Sequence, residues 1–326
     1  MMSFNSKINS FFSSFSLELG TAPTRNLIYL YADYVELVSL VSNQNYISST
    51  DMLDRFRDEG IIRQRISDGD QSEANDEDER FIISIYRLII ERKQLFGNDY
   101  PFEIKDGDKI KLKESANISN RDKLYIYLLL SSSLNIFSEF QPELTTEFEK
   151  LCTVVLKNFL PTHAIVKSFG KDSNYSGTAV KKMESLAADM KIEIDTETMQ
   201  EVSTRGTQEK GLDLVGWIPF EDNVANIVAL LAQCACGKEW YKKLGETSRY
   251  NNYFKFHRLN PIHSMFIPFN LVSYNKTNFF KNDEIDNRLI FERKRILNYI
   301  TDTDFFENYD SKKLVEKCLE FEEDIV

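Results

Sequence analysis

The chain is poor in the residues that build most easily recognised sites. Its 326 residues include four cysteines, three histidines, twelve glycines and two tryptophans. The cysteines, Cys152, Cys234, Cys236 and Cys318, are too few and too scattered for a disulfide framework and read as reduced thiols. Cys234-Ala-Cys236 could be half a zinc site, but no second CxxC or histidine pair completes four ligands, so two small buried strand residues is the simpler reading. Having only His163, His257 and His263 argues against histidine-rich metal or triad chemistry. There is no Walker loop, G-x-S-x-G elbow or G-x-G-x-x-G turn. No apolar run is long enough for a membrane span, and Met1 to Gly20 is Ser-rich without the basic-then-apolar order of a secretory leader. The expectation is a cytoplasmic protein with no membrane partner.

What is present is a globular composition, 42% hydrophobic and 28% charged, long enough for two domains or one elaborated one. The net charge of -11 argues against nucleic-acid binding over the whole surface, because a polyanion is repelled at long range. The charge is uneven, however. Asp68 to Glu79 carries seven acids and no base, and reads as a solvated, disordered loop. Lys238 to Arg258 holds six bases against Glu239 and Glu246, interleaved with aromatics such as Trp240, Tyr250 and Phe254. That mixture suits a nucleic-acid backbone and unstacked bases, with Lys238, Lys242, Arg249, Lys255 and Arg258 as candidate contacts. The alternative is a surface helix and loop whose aromatics belong to the core.

Up to residue 143 the pattern is mainly helical and reads as an accessory or partner-binding domain. Asn26 to Ser42 and Arg80 to Phe96 repeat apolar residues close to a 3.6 period, and Arg121 to Phe137 continues the helical series. Between Tyr100 and Lys113, Asp106-Gly107 marks a small hairpin. From 144 onward helices alternate with strands, which indicates an α/β (α+β) core. Thr146 to Glu149 has capping-box spacing at the start of a helix that runs to about Phe159. A strand at His163 to Phe169, a helix at Gly177 to Met190 and a strand at Lys191 to Asp195 follow. Lys238 to Gly245 should be helical, Met265 to Val272 a strand, and Asp283 to Ile300 and Ser311 to Phe321 the closing helices.

The most informative stretch is Gly211-Leu-Asp213-Leu-Val-Gly-Trp217, a turn from Pro219, and then Asn226 to Cys234. It reads as two strands bringing a carboxylate, Asp213, and an amide, Gln233, near one point. Phosphodiester hydrolysis needs a cation to stabilise charge on the phosphorane, a positioned water and usually a lysine. Asp213, the Gln233 side-chain carbonyl and the backbone carbonyl of Cys234 are hard oxygen ligands suited to Mg²⁺ or Mn²⁺. An amide in an otherwise apolar strand also requires a partner. The position two beyond Gln233 is Ala235, so an amine has to come from elsewhere, and Lys243 on the next element is the candidate.

The order of a helix bearing Phe148-Glu149, a strand bearing Gly211-Leu-Asp213 and a strand ending in Gln233-Cys234 resembles the PD-(D/E)xK restriction-endonuclease-like superfamily, in particular its Mrr-like branch of bacterial DNA nucleases. The resemblance covers about Thr145 to Leu244. It implies a nuclease domain over 144–326, a restriction-endonuclease-like core, and roles for Glu149 as a water-mediated metal partner, Asp213 as direct ligand and Gln233 at the (E/Q) position. Asp213, Trp217-Ile-Pro-Phe220, Gln233-Cys234 and Trp240 to Lys243 together are similar to nuclease subunits of bacterial antiphage defence systems. A Mg²⁺-dependent DNA endonuclease with a protein partner held by its N-terminal domain is therefore the expectation. The alternative is a catalytically silent nuclease fold kept as a DNA-holding scaffold.

Overall fold

The computed structural model describes residues 3–62, 71–200, 211–272, 279, 285 and 287–324. In chain order the elements are α1 (Phe4–Phe12), α2 (Ile28–Val41), β1 (Ile47–Ser48), α3 (Ser49–Asp58), α4 (Gln71–Phe96), β2 (Phe102–Lys105), β3 (Lys109–Leu112), α5 (Asn120–Ser131) and α6 (Gln141–Phe159). Then come β4 (Ile165–Ser168), α7 (Ala179–Met190), β5 (Glu193–Ile194), α8 (Thr196–Met199), β6 (Leu214–Ile218), β7 (Val228–Cys234), α9 (Tyr250–Tyr253), β8 (Phe254–Lys255), β9 (Ile262–Phe266), β10 (Leu289–Phe291), α10 (Arg293–Asn298) and α11 (Asp310–Glu320). The protein is mixed α/β, and it divides into two compact units.

The first unit comprises residues 1–143, 269–280 and 302–326. The sequence reading assigned the C-terminal helix to the second domain, but α11 belongs to the first unit. Its centre is α2, whose residues from Tyr29 to Val41 are all buried, which is why its sequence is apolar around the helix apart from the buried Asp33, Glu36 and Ser39. Helix starts are fixed locally by capping boxes, Ser48 with Asp51 at α3 and Ser119 with Asp122 at α5. Asp106 and Gly107 both take positive φ in the β2–β3 hairpin, as an Asp-Gly turn requires. The acidic run does not form a loop over its described part. Residues 71–79 lie in α4, where Asp78 is buried and paired with Arg25. Residues 68–70 lie outside the described residues.

The second unit, 144–268 and 281–301, is built on a five-stranded mixed sheet of order β10-β9-β7-β6-β4. The β4–β6 and β6–β7 pairs are antiparallel, and the β7–β9 and β9–β10 pairs parallel. α6 covers one face. It approaches closely because Gly216 has no side chain there, and a Cβ would meet Leu160 and Leu156. The other face, through Val215, Trp217, Ala229 and Leu231, packs on Met183, Leu186 and Met190 of α7 and on Tyr250 and Tyr253. β5 and β8 form a separate two-stranded sheet.

Several boundaries differ from the sequence pattern. α6 begins at Gln141, so Thr146 and Glu149 are interior to the helix and form no capping box. Residues 240–243 make only a 3-10 turn, and the strand near Pro268 ends at Phe266. Within the stretch read as one helix, β10 and α10 stand instead, with Glu292 capping α10. Among the described residues no helix is long and apolar enough to cross a membrane.

Candidate metal centre

Asp213 is the residue immediately before β6, and its main chain is pinned from both sides. Its N–H donates to the Ala232 carbonyl at 2.9 Å, and its carbonyl accepts from Phe169 at 2.7 Å and Gly170 at 3.0 Å. Its carboxylate Oδ2 accepts the Cys234 N–H at 2.7 Å, which ties the carboxylate to the end of β7. The other oxygen lies over Gly170. A Cβ on Gly170 would sit 2.9 Å from Asp213 Oδ1 and 3.1 Å from Glu149 Oε2. The two carboxylates therefore face one small gap, their oxygens no further apart than those two distances added. Only glycine leaves that gap open.

Glu149 reaches the gap from α6 and accepts the backbone N–H of Lys171. Its carboxyl is pushed up to about 7, first by burial and then by the neighbouring charges of Asp213 and Asp172, which the Lys171 N–H and ammonium only partly offset. The gap thus joins two carboxyl groups that raise each other's cost of ionising, an arrangement that a cation would relieve.

Cys152 follows Glu149 by one helical turn and hydrogen-bonds Cys234 through the thiols. Burial pushes the thiols of Cys152, Cys234 and Cys236 up, so all three are protonated and poor metal ligands. Among the described residues no three His, Cys, Asp or Glu side chains are grouped to hold an ion. A cation at the Glu149–Asp213 gap would have two carboxylates and otherwise water or main-chain oxygen, a donor set that fits Mg²⁺ rather than zinc.

Gln233 is drawn elsewhere. The residue is 4% exposed, its amide nitrogen donates to Glu246, and its buried Oε1 has no hydrogen-bond partner among the described residues. Glu246 lies against Gly211, whose φ of +87° and lack of a Cβ make room for it. On the neighbouring strand His263 donates or accepts at Thr247 Oγ1, 3.1 Å away, and its imidazole is pushed down to about 4 by burial and by Arg288. The sequence gives no sign that Glu246 partners Gln233, because with Glu239 it reads only as an acid among the bases of residues 238–258.

Lys243 stands exposed at the end of the 3-10 turn, and its charge acts on Cys236. The amine that acts on Glu149 is Lys171, whose Nζ donates to Thr146 Oγ1 at 3.2 Å, one turn before Glu149 on α6. Nothing in the sequence distinguishes Lys171, since only the loop after β4 brings it there. The expected basic stretch is divided. Lys238, Lys242 and Arg249 follow the C-terminal end of β7, where Lys242 pairs with Glu239. Lys255 lies 3.7 Å from Asp195, and Arg258 precedes β9, at the opposite end of the sheet. A comparison with protein-family models, curated proteins and solved structures finds no match to this chain.

Proposed function

We propose that the second unit is a Mg²⁺- or Mn²⁺-dependent DNA nuclease of the restriction-endonuclease type, working as a subunit of a bacterial defence system. The observation that carries this reading is the convergence of Glu149 and Asp213 on the gap over Gly170. Their arrival from a helix and from the start of a central strand supports it, as does the order α6, β6, β7 along the chain. Asp213 would hold the cation, with the Cys234 carbonyl beside it, and Glu149 would orient a water at the same gap. When bound, the cation would stabilise charge on the phosphorane and lower the pKa of a bound water. Glu149, with its carboxyl near 7, can accept the proton which that water loses. Lys171 is the amine best placed to meet a substrate phosphate, ahead of Lys243. Gln233 supports the site from its bond to Glu246.

The first unit would dock a protein partner. An open groove there, lined by Glu18, Asp54, Asp58 and Asp324, favours a basic protein segment over DNA phosphates. Asp213→Asn should abolish Mg²⁺-dependent cleavage and leave the circular dichroism spectrum unchanged. Cleavage that survives in that variant removes the nuclease reading. The second reading, a silent nuclease fold that holds DNA, is favoured by the buried Ala235 at the expected lysine position. It predicts DNA binding that is indifferent both to Asp213→Asn and to added Mg²⁺.

A further inference from the structure

We propose that the end of the second unit's sheet remote from the carboxylate pair is a twofold contact with a second copy of this chain. Cross-strand partners share a sheet face, so Gly216, Leu230 and Ile262 form one row and Ile218 and Val228 the next. α6 covers this face only as far as Leu160 on Gly216, and the helix ends at Phe159. Beyond it the strands continue, and Leu230 is the last residue of the row that the described residues bury. Val228 and Ile262 are 39% and 47% exposed, and Phe220 and Val224 of the β6–β7 turn are both 53% exposed. Leu259, on the approach to β9, is 42% exposed. Of the six large apolar residues exposed among the described residues, these are five, so the distribution is a patch and not the usual scatter.

The rim identifies the occupant. The His257 N–H donates to the Ala225 carbonyl at 3.3 Å, which places the loop before β9 beside the β6–β7 turn. Exposed Glu221 lies on the turn and exposed Arg258 on the loop, and neither has an ion-pair partner among the described residues. An apolar centre with the exposed acids Glu221 and Asp222 on one side and Arg258 on the other is self-complementary under a twofold axis, which sets each copy's acidic turn, Glu221 foremost, against the other's Arg258. A uniformly basic rim would have indicated nucleic acid instead.

Sedimentation equilibrium of the full chain from roughly 1 to 100 µM tests this. The wild type should dimerise, and Phe220→Asp should be monomeric throughout with an unchanged far-ultraviolet circular dichroism spectrum, while the melting temperature of the wild type alone should rise with protein concentration. Glu221→Arg and Arg258→Asp should each weaken association about tenfold, the expected size for a rim charge reversal. Asp is chosen because it tolerates the φ of 60° at position 258. The double variant Glu221→Arg/Arg258→Asp should recover most of the loss, since each reversed charge then meets its opposite across the axis. The proposal is overturned by a wild type that stays monomeric, by a dimer that these variants do not affect, or by a double variant no better than the singles. It is equally overturned if Arg258→Asp reduces DNA affinity of a protein that is monomeric throughout.

Discussion

Glu149 has a carboxyl ordinarily near 4.5 that is held at about 7 in the fold, so the folded state binds its proton more tightly than the unfolded chain does. Below pH 4.5 the group is protonated in both states and has no effect. As pH rises from 4.5 through 7 the fold loses stability, and above 7 the loss is complete. Glu149→Gln removes it. Without divalent cation, that variant should be more stable than wild type at pH 8 by about 1–2 kcal/mol once solvent screening of the half-buried group is allowed for. The gain in Tm should be roughly 2–4 °C per kcal/mol and should vanish toward pH 4.5, as differential scanning calorimetry across pH would show. Gly170→Ala is the steric counterpart. Its methyl would meet both carboxylate oxygens and, at 3.3 Å, the Asp213 Cα, so the carboxylates must separate. Cation affinity measured by calorimetric titration should fall at least about tenfold, while the far-ultraviolet spectrum stays that of the wild type.

Among the elements, α6 does most to make the candidate site, and its role was only partly legible in sequence. Its apolar period marked a helix through Leu151 and Val155, but Thr146 and Glu149 imitate a capping box, so the start read five residues late. With the helix begun at Gln141, Glu149 has no capping task and points its carboxylate at Asp213. The β6–β7 hairpin was readable because its strands carry dense apolar runs on either side of a Pro-containing turn. What the chain order could not supply was the face on which Gln233 lies, since that depends on Glu246 arriving from a segment with no periodic signal. Lys171 escaped notice for a similar reason, because one exposed loop lysine among many acquires meaning only from Thr146 and Glu149 beside it. In the first unit, α2 and α4 are joined by a buried ion cluster. Arg92 Nη1 lies 2.7 Å from Asp33 Oδ1 and 2.8 Å from Glu36 Oε1, and Tyr100 and Tyr125 donate to Glu36 at 2.8 and 3.0 Å. Arg92→Leu would leave two carboxylates in the core and should cost about 3–5 kcal/mol, read from the urea midpoint.

The whole molecule carries a charge of -11, which sets how it can meet DNA. Long-range steering opposes the encounter, so binding should depend on divalent cation and on the few bases near the C-terminal end of β7. DNA affinity measured by fluorescence anisotropy should therefore rise when Mg²⁺ replaces EDTA at constant ionic strength. It should fall in the combined variant Lys238→Ala/Lys242→Ala/Arg249→Ala, with a shallower dependence on salt. All of this depends on whether Glu149 and Asp213 jointly bind a cation. Calorimetric titration of Mn²⁺ at pH 7, repeated in buffers of different ionisation enthalpy, measures both the binding and the proton that accompanies it. The wild type should bind one ion and release a fraction of a proton, as expected for a carboxyl near 7 giving up its hydrogen, and Asp213→Asn and Glu149→Gln should bind at least about tenfold more weakly. A wild type that binds no ion, or that binds one as tightly as Asp213→Asn does and with no proton released, would contradict the account.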